Sequence, residues 1–194
     1  MSGQLRTILQ QRLLISKIIW IALAFNILLL GLFLWQNPSY EPFDFQKIPE
    51  LLVQPERRLW LAVAAVLGLL SWQVPQWFLK KSYKRPNTKE AVLEKLRNFR
   101  GQNGQRLWTD EQMAILESLG FEDLILVDAF SSWVLSFILA MAFADAISIL
   151  GYVNSSMTRE PSLFIPFAAL SAVLFLLRFP TADSYVANIK RLSH

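Results

Sequence analysis

The chain contains no cysteine, and its one histidine, His194, is the last residue. The first absence excludes disulfides, thiolate nucleophiles and cysteine metal sites. The second leaves one terminal imidazole, too few for a histidine metal centre or acid–base pair, so neither metal nor cofactor is expected. Charge is also scarce over four stretches, residues 18–35, 59–79, 124–153 and 163–179. No segment gathers the His, Asp or Glu clusters that lipid-modifying membrane chemistry draws on, so the chain is not expected to be an enzyme.

Apolar residues fill the space: 54% of the 194 residues are hydrophobic. A helix rises about 1.5 Å per residue and the hydrocarbon core is about 30 Å thick, so each of the four stretches is read as a span. The expected fold is all-α: an integral membrane protein of four transmembrane helices, arranged as two hairpins with a short helical cytoplasmic insert. The expected division is an amphipathic lead-in with the first hairpin over 1–81, the insert over 82–123, and the second hairpin with a cytoplasmic tail over 124–194.

The formal charge of +4 sits beside the spans. Arg6, Arg12 and Lys17 precede the first span. Lys80, Lys81, Lys84, Arg85, Lys89, Lys95, Arg97, Arg100 and Arg106 fill the central loop. The loop over 36–58 offsets Lys47, Arg57 and Arg58 with Glu41, Asp44, Glu50 and Glu56, and the loop after Val153 has Arg159. Lysine and arginine concentrate on the cytoplasmic side, which predicts a multi-pass protein of the cell (inner) membrane with both termini inside and Arg57–Arg58 as an exception. The continuous helical pattern from Leu5 to Trp35 has no small-residue cleavage site, so the first span is read as a retained anchor. The run Lys80, Lys81, Lys84, Arg85 is assigned to lipid headgroups, since it directly follows a span; a nucleic-acid partner is not expected. The expected partners are the bilayer and another membrane protein or a second copy of the chain.

Elsewhere, Asn37-Pro38 ends the first span, and the Pro-rich stretch to Arg58 reads as an ordered interfacial loop with a helical turn. Trp60 and Trp77 lie about 26 Å apart at helical rise, matching two aromatic belts. In the insert, a helix from Thr88 to Arg100 stopped by Gly101 has Val92, Leu93, Leu96 and Phe99 on its apolar side. A second, capped by Thr109 with Gln112 in a capping box, has Met113, Leu116 and Leu119. Two such short helices cannot make a core alone.

Polar residues inside the spans are costly and mark sites. Asp145 lies about 12 Å from the end of its span at Val153, with Ser148 and Tyr152 on the same face. Asn26 stands at a comparable depth in the first span. These four form the candidate polar or ion site. Ala140, Ala144, Ser148 and Gly151 make a small-residue stripe for helix packing. Asp128 is placed at the cytoplasmic border of the third span. An offset of 119 residues pairs Asn26 with Asp145, Glu41 with Glu160 and Pro42 with Pro161, which reads as two parallel-oriented hairpins or as a chance alignment of apolar segments.

The run Ala142-Phe143-Ala144-Asp145-Ala146-Ile147-Ser148-Ile149-Leu150-Gly151-Tyr152 resembles the acidic helix of rotary-ATPase proteolipid (c) subunits. It is also similar to uncharacterised bacterial four-span membrane proteins. The resemblance covers these residues only and implies that Asp145 is an ion-binding carboxylate. Three features depart from that family: the first span has Gly31 alone, the acid lies on the first helix of its hairpin, and the large outer loop and cytoplasmic insert do not suit a rotor ring. The function expected is a non-enzymatic structural or accessory subunit of a membrane complex; the alternative is a proteolipid-like ion- or proton-translocating unit using Asp145.

Overall fold

The computed structural model describes the backbone of residues 3–98 and 108–192 and the side chains of 6–98 and 108–190. The described residues are helical, with no strand among them. Helix α1 (Gly3–Gln36) merges the amphipathic lead-in with the first span and stops where Asn37-Pro38 forbids continuation. The single-turn α2 (Ile48–Val53) follows, with Pro49 in its first turn. Helix α3 (Pro55–Ser82) carries Pro75 inside it, and Ser136 Oγ donates to the Pro75 carbonyl at 2.8 Å. Helix α4 (Lys89–Asn98) starts at Thr88, whose hydroxyl accepts from the Ala91 N–H. Its expected stop at Gly101, and with it Phe99, lies outside the described residues. Helix α5 (Asp110–Ser118) begins with the capping box read from sequence: Thr109 Oγ1 accepts from the Gln112 N–H and Gln112 Oε1 from the Thr109 N–H.

Helix α6 (Phe121–Thr158) is longer than the third apolar stretch. It runs past Val153 and ends with Arg159 in the left-handed region at φ 59°, where the Glu160 N–H reaches back to the Ser155 carbonyl. The fourth stretch, 163–179, is occupied by one helix, and a bend follows it. A 3₁₀ turn (Pro161–Leu163) leads into α7 (Phe164–Leu177), and α8 (Ala182–Leu192) is bent 79° from it. Pro180 forces the break, and Thr181 and Ser184 cap α8 reciprocally through side-chain oxygens and backbone N–H groups. Among the described residues three helices are long and apolar enough to cross a membrane, or four if the bent pair counts as one span.

The chain divides into two compact units that cut across the three segments expected from sequence. The first comprises Met1–Ile15, Phe78–Leu135 and Pro180–His194. The physical reason is the one that denies the insert a core of its own. The stripes Val92, Leu96 and Met113, Leu116, Leu119 are buried, as are Leu9, Leu13, every residue from Leu124 to Phe130, Tyr185 and Ile189. Here α8, expected as a tail, supplies Tyr185, which packs edge-on against Phe130 and Trp133 and donates from its hydroxyl to the Leu126 carbonyl.

The second unit comprises Ser16–Trp77 and Ser136–Phe179. Ala64, Ile147 and Phe167 form its small core, with Trp60, Leu61, Leu67, Leu150 and Leu174 packed against it. Its outer face is apolar: Ile18, Ile21, Phe25 and Leu28 on α1, Leu59, Val66 and Leu69 on α3, and Leu176 on α7 are all more than half exposed. Apolar exposure on that scale is unfavourable in water and neutral in lipid.

Candidate functional site

Within the second unit, α1 and α6 are joined through the residues singled out above. Asn26 Nδ2 donates to Asp145 Oδ1 at 2.9 Å. Ser148 Oγ shares its one proton between the Asp145 backbone carbonyl at 2.8 Å and Asp145 Oδ1 at 3.3 Å. Helical spacing puts Ser148 one turn beyond Asp145 on the same face, so the contact is local. Ser148 is fully buried, whereas Asp145 and Asn26 are half-buried. Tyr152 is half-buried too, and no hydrogen bond joins it to Asp145 among the described residues.

The small-residue stripe of α6 receives α7. Ala140, Ala144, Ser148 and Gly151 are all buried, and Ser171 Oγ donates to the Ala144 carbonyl at 2.6 Å. A Cβ on Gly151 would lie 2.5 Å from Phe167 Cβ, so the close approach needs glycine. The middle of α1 packs on α7: Trp20 Nε1 donates to the Phe175 carbonyl at 2.8 Å. Thus the carboxylate accepts from an amide and a hydroxyl, in a frame of close helix contacts. Among the described residues no three of His, Cys, Asp and Glu come near enough to hold a metal ion.

Sequence reasoning missed a second polar cluster of this unit. Arg57, an exception to the charge asymmetry, meets Glu160 at 2.8 Å, an ion-pair distance, although the two atoms are out of line for a hydrogen bond. Beside Glu160 in sequence, Asn154 Nδ2 and Ser155 Oγ are buried without hydrogen-bond partners among the described residues. Arg178 lies over the Trp72 ring at 5.0 Å.

In the first unit, Asp128 is buried, and Lys95 Nζ bridges both its oxygens at 2.7 and 2.9 Å. A signal for this pair was present: an acid amid the unbroken apolar run 124–130 demands a cation. Tyr83, also buried, points its hydroxyl at the Ile125 carbonyl over a long 3.5 Å. Burial, and secondarily the Asp128 charge, push its phenol above the ordinary value. Of the four basic residues assigned to headgroups, Lys80, Lys81 and Lys84 are exposed, while Arg85 pairs with Glu122 at 2.6 Å. Comparison with protein-family models, curated proteins and solved structures returns no match for this chain.

Proposed function

We propose that the chain is a multi-pass cell-membrane protein of four spans, both termini cytoplasmic, acting as a non-enzymatic structural or accessory subunit of a membrane complex. The second unit, with its apolar outer face, is the lipid-embedded part. The observation that supports this reading is the use made of Asp145: its Oδ1 accepts from the amide of one helix and a hydroxyl of its own, as an interhelical clasp does. The apolar outer face supports lipid as one partner, and another membrane protein or a second copy is the other.

The test is Asp145→Asn in reconstituted vesicles. The substitution keeps shape and hydrogen bonding but removes the ionisable group. A subunit held by the clasp is expected to assemble as wild type, with proton and sodium leak equal to that of protein-free vesicles in both forms. Flux through the wild type that disappears in the Asn variant would establish the ion-translocating alternative instead.

A further inference from the structure

In the first unit a cleft open to solvent is lined by Arg12, Lys95, Trp108, Asp128 and Ser131. Its charges are unevenly matched. Lys95 and Asp128 satisfy each other, with the ammonium across both carboxylate oxygens. Arg12 has no such partner. Its guanidinium lies 3.7 Å above the Trp108 ring and 5.9 Å from that of Phe130, and among the described residues no carboxylate comes within ion-pair distance of it.

The half-buried position of Arg12 makes this costly. Stacking on an indole attracts the cation through its face but leaves the five N–H donors at the rim of the guanidinium plane. Those donors suit two oxygens of one planar or tetrahedral anion. The exposed Ser131 hydroxyl lines the same cleft and adds a donor, as does the third hydrogen of the half-exposed Lys95 ammonium. Lys95 and Asp128 cancel, so the cleft carries one net positive charge, which matches a monoanion. The Trp108 N–H is out of solvent reach and is not counted among the donors.

We propose that this cleft is a binding site for a singly charged oxyanion of the phosphate class, held by Arg12 against Trp108 with Ser131 and Lys95 beside it. The chemistry is shared by the phosphodiester of an anionic phospholipid and by free phosphate.

The test uses the full-length chain in neutral detergent and reads the thermal unfolding midpoint. Inorganic phosphate is added at constant ionic strength in one arm, and phosphatidylglycerol against phosphatidylcholine in the other. A rise with phosphate assigns a soluble ligand; a rise with phosphatidylglycerol alone assigns a lipid headgroup. In either case Arg12→Gln should weaken the apparent affinity about tenfold or more, the scale of a charge-assisted pair of hydrogen bonds. Arg58→Gln, exposed near the start of α3 and outside the cleft, should leave it unchanged. Ser131→Glu tests the site without removing Arg12. By placing a carboxylate in the cleft it should raise the midpoint of the free protein and abolish the response to the anion. No response to either probe would overturn the site. So would a response that survives Arg12→Gln and Ser131→Glu, or one that Arg58→Gln weakens as much as Arg12→Gln.

Discussion

Two glycines in the second unit separate packing from propensity at the scale of one residue. Gly151 meets Phe167 at a distance no Cβ tolerates, whereas a Cβ on Gly68 would meet nothing within 4 Å. Gly151→Ala should therefore destabilise the chain by about 1–3 kcal/mol, the range for overpacking. Gly68→Ala should be neutral or stabilising by up to about 1 kcal/mol, since alanine gains helix propensity there. Unfolding of both variants in mixed micelles checks the pair, and equal effects would mean that α6 and α7 do not approach as described. Tyr83 gives a pH test. Its folded-state phenol holds the proton more tightly than the unfolded one. The stability this contributes is complete below the unfolded value near 10 and is lost as pH rises beyond it. Unfolding titrations should show that fall in the wild type and a shallower one in Tyr83→Phe.

At the scale of elements, the ends and stripes of most helices can be read from local signals. Asn37-Pro38, the Thr109–Gln112 capping box and the long apolar runs each act through neighbours in sequence. What escaped is non-local or short. Among the described side chains of helix α8 only Tyr185 and Ile189 are buried, and the helix follows a proline, so its eleven residues look like a tail until the surfaces of Phe130 and Trp133 are known. The fourth stretch was legible as a short helix, whereas the bend that follows it at Pro180 lies beyond the apolar run and leaves no trace in hydropathy. Equal depth suggested Asn26 beside Asp145, and the hydrogen bond joins them. Tyr152 shares the helix face but finds no bond there, because a shared face does not fix where a ring reaches. The partners of Arg57 and Asp128 are distant in sequence, so charge counting registered the residues and not the pairs. Helix α8 carries the corresponding prediction. Thr181→Ala should cost about 0.5–2 kcal/mol through loss of the cap, and truncation before Thr181 should make residues 82–120 protease-sensitive by uncovering the first unit's core. Unchanged proteolysis after truncation would show that α8 is dispensable to that unit.

At the scale of the whole molecule, the open quantity is how many times the chain crosses. Helices α1, α3 and α6 have length to spare, but α7 has fourteen residues. That is about 21 Å of rise, short of a core about 30 Å thick. Two structures of the same sequence length follow. If α7 crosses, with the 3₁₀ turn before it and Arg178 and Phe179 after it filling the remaining thickness, the carboxyl terminus shares a compartment with the amino terminus and the basic residues that follow α3. If α7 instead enters and turns back, the terminus stays on the side reached by the end of α6. The first is favoured by the scarcity of lysine and arginine in the loop between α6 and α7. Reporter fusions decide between them. Fusions after Lys81 and at the carboxyl terminus are both expected to report cytoplasm, and one near Glu50 the far side. A carboxyl-terminal fusion on the far side, with the other two as expected, would leave three crossings and make α7 re-entrant. That result would also remove α8 from the compartment of the basic loop, which its burial with Phe130 and Trp133 in one compact unit does not allow. Four crossings are therefore the expected outcome, from the charge distribution and from the packing of Tyr185 with Phe130 and Trp133, and the carboxyl-terminal fusion is the measurement that checks it.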